Sequence, residues 1–396
     1  MNNNFITNIQ SLLEKQQLDG WLLYDFRRSN DLACYVLKIP PQTLITRRFF
    51  YWIPREGQPI KLVHAIESHI LDHLPGETKK YRTWQEIETS LMTILKGYKS
   101  IAMEYSPRNA IPYISKVDAG TIEVVRDCGV DVQSSADLLQ QYTSVWDAYK
   151  LETHLYAADV LDRSVDAAWN FIADHLRGQQ SITEYDVQQF ILAEFARNGC
   201  RASEAPICAV NANSSNPHYV PDRSNSALIK PGDFILIDLW CKQDKPRAVY
   251  ADITRVGVAA AAPTPKQQAI FEIVKAARDA GTQLVQERFA KNKPVMGCEV
   301  DQCCRDVIVK AGYGDYFIHR TGHNIDENDH GNGANLDNLE TQDTRQLLPG
   351  TCFSIEPGIY LPGEFGVRLE YDVYVSPEGD VRVTGGIQQN ITCLLS

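Results

Sequence analysis

One carboxylate, Asp238, interrupts the otherwise apolar run FILIDLW at residues 234–240. Three further acids share that setting: Asp252 in YADITRVG, Glu356 in FSIEPGIY and Glu370 in GVRLEYDVYV. A carboxylate buried without a partner costs several kcal/mol or keeps its proton. Alone, Asp238 is satisfied by an Arg or Lys partner, or by capping a nearby backbone. Four acids brought together need more positive charge than Arg255 and Arg368 supply, and divalent cations supply it directly. Imidazoles are at hand. His319, His323 and His330 lie in IHRTGHNIDENDHGNG, and His218 lies in NSSNPHYVPD. A lone loop histidine is ordinarily a surface residue, but three within twelve residues are harder to set aside. Four carboxylates with about one imidazole form a hard, oxygen-rich set that suits Mn(II), Co(II) or Fe(II), and Zn(II) less typically. One carboxylate from each strand pair would bridge two ions roughly 3.5–4 Å apart, the spacing of two-metal hydrolases.

The elements that must position these groups are legible in outline. Strand side chains alternate faces, so Leu236, Asp238 and Trp240 share one face. PGDFILIDLW and YADITRVGVAA read as two strands joined by the polar link CKQDKPRAV. A long Ala- and Leu-rich helical pattern from about Trp146 precedes them. A second helix follows it, with Ser181 and Glu184 as an expected capping box and Gly199 as its stop. The order then recurs. Thr264, Pro265 and Gln267 open one helix, VDQCCRDVIVKAG is another, and TCFSIEPGIYL and FGVRLEYDVYV are again two strands. Both strand pairs carry acids. Residues 1–142 alternate strand-like runs (GWLLYDF, RRFFYWIP, IKLVHAI, KSIAMEY, IEVVRDCGVDV) with a helix at TWQEIETSLMTILKG, the pattern of an α/β domain.

A length of 396 residues suggests two or three domains. A net charge of -11 argues against a nucleic-acid partner, which needs a basic surface. No run approaches the roughly 18 apolar residues of a membrane span, and no secretory leader is read at the start. The ten cysteines include no C-x-x-C pair and are expected to be reduced thiols in the cytoplasm.

The acids and their contexts resemble the pita-bread metallopeptidases: aminopeptidase P, prolidase and methionine aminopeptidase. That family carries Asp, Asp, His, Glu and Glu in chain order. Here they fall on Asp238, Asp252, His323, Glu356 and Glu370, within YADITR, HRTGH, SIEPGIY and GVRLE. The resemblance covers about residues 146–396. It implies a mixed α/β (α+β) chain, with a pita-bread catalytic domain of two pseudo-twofold helix-helix-strand-strand halves at 146–396. Residues 1–142 are similar to the smaller α/β domain of the creatinase, prolidase and aminopeptidase P branch. The chain departs from the family in the 14-residue spacing of its aspartates, in Trp240 where Gly is common, in Gly331 after His330, and in NIDEND for a Gly-containing turn. These departures bear on the pocket walls.

By resemblance, five residues bind two divalent ions, manganese first, with cobalt, iron or zinc as alternatives. Asp238 holds the first ion, Asp252 and Glu370 bridge, and His323 and Glu356 hold the second. The pair holds a water as hydroxide. Glu356 shuttles its proton, His330 hydrogen-bonds the carbonyl oxygen, His218 sits near the scissile nitrogen, His319 faces the leaving side, and Arg368 orients a ligand carboxylate. The bland readings stay open: a strand salt bridge for Arg368 and a structural role for His319. The implied reaction is release of the first residue from Xaa-Pro peptides. A dipeptide-only prolidase and a non-catalytic binding protein on the same scaffold are the alternatives. A small peptide substrate and a homodimer are the implied partners, with no nucleic acid and no membrane.

Overall fold

The computed structural model describes residues 3–395, and the chain divides between Thr143 and Ser144 into two compact units. The first contains β1 (Gly20–Asp25), β2 (Phe49–Pro54), β3 (Ile60–His64), β4 (Glu77–Tyr81), β5 (Ser100–Met103) and β6 (Asp131–Ser134), in the order β4-β3-β2-β1-β5-β6. Its helices are α1 (Asn3–Lys15), α2 (Asp31–Val36), α3 (Trp84–Ile94), α4 (Ala119–Asp127) and α5 (Ala136–Thr143). Every residue of β1 and β2 is buried, because the sheet is covered on both faces. Trp21, Leu23, Tyr51 and Ile53 enter one core, and Leu22, Tyr24, Phe50 and Trp52 the other. One expectation fails here. IEVVRDC is helical, within and just after α4, because Asp118 caps that helix through the Thr121 N–H. Only the residues after Gly129 return to strand, as β6.

The second unit opens with α6 (Ala148–Arg177), capped by Asp147, and α7 (Glu184–Arg197). The box of α7 is Thr183 with Asp186, not Ser181 with Glu184. Glu184 is buried instead and accepts hydrogen bonds from the Val210 and Ala227 N–H groups, Asn213 and the Tyr219 hydroxyl. Short strands β7 (Cys200–Arg201) and β8 (Ile207–Val210) lead to β9 (Phe234–Gln243) and β10 (Ala251–Val258). The start of the expected link, residues 241–243, thus continues β9. Two helices follow, α8 (Pro265–Ala290), with the expected Thr264–Gln267 box, and α9 (Gly297–Lys310). The remaining strands are β11 (Asn324–Ile325), β12 (Cys352–Ile355), β13 (Gly358–Leu361), β14 (Phe365–Arg368), β15 (Tyr371–Val375), β16 (Val381–Thr384) and β17 (Thr392–Cys393). They assemble as β17-β10-β9-β7 with β8 beside β9, as β11-β12-β15-β16, and as the hairpin β13-β14.

Two of the predicted strands are therefore broken, and each break carries a glutamate. Glu356 and Pro357 separate β12 from β13, and Leu369 and Glu370 separate β14 from β15. Pro357 has no N–H to give a ladder. At the same two places the chain leaves the β12-β15 pairing for the β13-β14 hairpin.

Candidate metal centre

Strand β9 explains how an acid comes to lie in an apolar run. Phe234 and Leu236 join Val256 and Val258 in one core, while Ile235, Ile237 and Leu239 enter the core beneath α6 and α7. Asp238 continues the first face, where the apolar lining gives way to charge. In the antiparallel register Thr254 lies opposite Asp238 and Asp252 opposite Trp240, so all four share that face.

The other groups arrive from the second half. The His323 N–H donates to Ser354 Oγ on β12 (3.0 Å), and Ser354 Oγ donates to Glu356 Oε1 (3.1 Å). A Cβ on Gly322 would lie 2.0 Å from the Ser354 carbonyl, so only glycine lets the histidine segment approach β12 this closely. His323 Nε2 then faces Glu356 Oε1 at 3.4 Å and Asp252 Oδ2 at 3.7 Å. Asp252, His323 and Glu370 each offer a donor atom within 4.8 Å of the others, and all three are buried. Thr254 Oγ1 lies 3.0 Å from Asp238 Oδ1 and 2.6 Å from Glu370 Oε2, and accepts from Arg368 Nε (2.9 Å). A hydroxyl has one proton and donates to only one of the two carboxylates at a time.

Arg368 is the guanidinium inside the cluster. It pairs with Asp238 through Nη2 and donates from Nη1 to the Tyr360 hydroxyl (3.1 Å). Burial opposes its charge, but Asp238, Tyr360, Glu356 and Glu370 outweigh that and hold its pKa above the usual arginine value. Arg255 is also buried, but its donors go to the backbone carbonyls of Thr254, Glu370 and Gly386 and to Asp162. It makes no hydrogen bond to a carboxylate of the cluster.

Some members were not singled out from sequence. Asp372 is buried on β15 and accepts the Asp252 N–H (2.9 Å). It is two residues after Glu370, and Thr254 is two after Asp252; strand alternation was the signal for both. Asp329 is half-buried beside His330, with Oδ2 3.7 Å from Nε2. The His323 and His330 rings lie 4.0 Å apart between centroids. His218 and His330 are exposed at the edge of the cluster. His319 differs from them. Its Nδ1 donates to the Arg320 carbonyl (2.6 Å) and its Nε2 meets the Tyr360 hydroxyl (2.8 Å), so both nitrogens are engaged by protein.

Six acids thus gather in the centre, with Arg368 paired to Asp238 among them and Arg320 acting on Glu356 and Asp329. Asp252 Oδ1, Glu370 Oε1, Asp372 Oδ1 and Asp329 Oδ1 are buried with no hydrogen-bond partner. Burial first, and the neighbouring carboxylates second, push Asp252 and Glu370 well above the ordinary carboxyl range. Burial raises Glu356 to about 7 against the pull of Arg368. Burial drives His323 the other way, well below the ordinary imidazole value, which keeps it neutral and able to ligate. Buried carboxylates are otherwise hydrogen-bonded or paired. Unbonded oxygens converging beside a neutral imidazole are a donor set that a divalent cation satisfies.

Residues 152–377 match the family model for metallopeptidase family M24. The chain belongs to metallopeptidase family M24. Among curated M24 relatives it is 35% identical over 309 residues to the Xaa-Pro dipeptidase of Lactobacillus delbrueckii subsp. lactis, covering 77% of this chain and 75% of that protein. It is 31% identical over 250 residues to the Xaa-Pro dipeptidase of Lactobacillus helveticus, covering 63% and 61%. The match thus spans under two thirds of that relative's length, and likewise 64% of the putative dipeptidase YkvY of Bacillus subtilis. The dipeptidase PepE of Mycobacterium ulcerans has the same fold, with a TM-score of 0.68 at 22% identity over 99% of this chain and 97% of that one. The pita-bread assignment holds, and M24 membership implies divalent metal ions. Among the described residues no helix is long and apolar enough to cross a membrane.

Proposed function

We propose that this M24 chain is a metal-dependent exopeptidase that releases the first residue from Xaa-Pro peptides, acting in the cytoplasm as a homodimer. The observation that carries the reading is the convergence of Asp252, His323 and Glu370 with unbonded buried oxygens on the two acids. Asp238, Asp252, His323, Glu356 and Glu370 would hold two divalent ions, manganese first. Such ions supply Lewis acidity to a peptide carbonyl and acidity to a water. The chain's own side chains do the rest. Glu356 Oε takes a proton and passes it to the leaving nitrogen. His330, at the mouth, hydrogen-bonds the carbonyl oxygen as charge develops on it. His218 stands by the scissile nitrogen. Arg368 fixes the Asp238 carboxylate. His319 acts by anchoring Arg368 through Tyr360, in place of the leaving-side contact expected from the resemblance, because both its nitrogens are taken. The unit ending at Thr143 takes the part of the creatinase-like amino-terminal domain.

A second reading, strict Xaa-Pro dipeptidase, is favoured by the names of the Lactobacillus relatives. Hydrolysis of Gly-Pro, Gly-Pro-Pro and longer Xaa-Pro peptides after EDTA treatment, with Mn(II), Co(II) or Zn(II) restored in parallel, separates the two. Cleavage of the longer peptides supports the aminopeptidase, and cleavage of Gly-Pro alone the dipeptidase. Metal-independent hydrolysis, or none with any metal, overturns both.

A further inference from the structure

The histidine-bearing segment holds a second donor set beside the one already described. His323, Asp329 and His330 also bring donor atoms within 4.8 Å of one another. The segment is firmly held. Gly331 donates its N–H to the Asn324 carbonyl (2.7 Å), and Gly333 donates to Asn324 Oδ1 (2.9 Å). A Cβ on Gly331 would meet Asn324 Oδ1 at 2.2 Å. Lys150 of α6 pairs with the buried Asp326 and with Glu327. The two sets differ in position and chemistry. The inner one is fully buried, whereas the His330 side chain is 64% exposed. The inner set has two carboxylates and one imidazole, the outer two imidazoles and one carboxylate. Asp329 Oδ1 is buried without a hydrogen-bond partner.

We propose that His323, Asp329 and His330 form an outer, inhibitory transition-metal site at the mouth of the centre. Three protein donors with an open position and a majority of nitrogen ligands suit Zn(II) or Co(II) better than Mn(II). Because the two sets have His323 in common, a cation in the outer site competes with the inner centre for that imidazole. It also occupies His330, the residue assigned to the substrate carbonyl. The inference rests on the metallopeptidase reading and adds regulation to it: the inner set supports turnover, and excess zinc suppresses it.

The test uses the full-length protein and its Asp329→Val and Asp329→Asn variants. Each is dialysed to equilibrium against Zn(II) or Mn(II) and analysed for bound metal. Zn(II) inhibition of the Mn(II)-loaded protein is titrated with an Xaa-Pro peptide. The unmodified chain is expected to retain one more equivalent of Zn(II) than either variant, with equal Mn(II) in all three. The zinc concentration that halves turnover is expected to rise at least ten-fold in the variants. Equal zinc content and equal inhibition in all three proteins would overturn the outer site while leaving the inner centre intact. No binding of either metal by the unmodified chain would overturn the metallopeptidase reading itself, and the outer site with it.

Discussion

Arg368 and Asp238 form an ion pair with both partners buried, although they are 130 residues apart in sequence. The guanidinium is held in turn by Thr254 Oγ1 and the Tyr360 hydroxyl. Removing one partner of such a pair leaves an uncompensated buried charge, at a cost of about 3–5 kcal/mol. Arg368→Ala is expected to lower the metal-free protein's urea stability by that amount, and added Mn(II) to recover much of it, because the cation then takes up the charge on Asp238. Equal urea midpoints for variant and parent under EDTA would show that Arg368 does not neutralise the cluster.

Asp252 and Glu370 are expected to behave in the opposite way. Burial and mutual repulsion hold both above the ordinary carboxyl range, so without metal they destabilise the fold near neutral pH. Asp252→Asn and Glu370→Gln should therefore raise the metal-free Tm. The same changes should abolish the rise in Tm on adding Mn(II) and reduce kcat/KM by at least about a hundred-fold, since even partners one step removed from a metal cost 10–100-fold. A metal-free Tm lower than the parent's in both variants would show that these acids are structural.

Strand alternation and the type of chain shared by Asp238, Asp252, Glu356 and Glu370 were enough to suggest a buried acid cluster and a cation. Sequence pattern could not find the breaks at Glu356 and Glu370, because apolar strand residues run through both and the breaks follow from a change of pairing partner. Nor could it tell Asp186 from Glu184 as the cap partner of α7. Both are acids near a Thr or Ser, and which one is buried depends on Val210, Ala227 and Tyr219, distant in sequence. The engagement of His319 was hidden for the same reason, since Tyr360 is 41 residues away.

Proton linkage makes the metal's effect on stability depend on pH. Burial holds the Glu356 carboxyl at about 7 in the folded protein, against an ordinary value near 4. Below the ordinary value both states are protonated and the folded state keeps its full stability. As pH rises toward 7 the unfolded chain ionises while the folded one retains its protons, so stability falls, and above 7 the contribution is gone. His154, lowered to about 4 by burial, works the other way and weakens the fold as pH falls from about 6.5 to 4. The metal-free Tm should therefore peak in mildly acidic solution. The increment in Tm from saturating Mn(II) should grow from pH 6 to pH 8, because ligation replaces protons on the acids. An increment that is flat or shrinks over that range would contradict the assignment of Glu356 to the metal centre.

The chain from Arg368 through Tyr360 to His319 has a direction fixed by its ends. The Arg320 carbonyl can only accept, so His319 Nδ1 carries the proton and neutral Nε2 is the acceptor. The Tyr360 hydroxyl, whose pKa burial raises to about 12, then donates to Nε2 while accepting from Arg368 Nη1. If His319 works only through this chain, Tyr360→Phe and His319→Gln remove the same support. Each should then lower kcat several-fold with little change in KM for an Xaa-Pro peptide, and the double variant should be no worse than the more severe single one. Such a cycle gives a coupling energy of about 0.5–3 kcal/mol, the range for residues in one hydrogen-bonded network. If His319 instead touches the substrate, His319→Gln should raise KM where Tyr360→Phe does not, and the two effects on kcat/KM should add. Additivity with that split in KM would return His319 to the leaving side of the peptide.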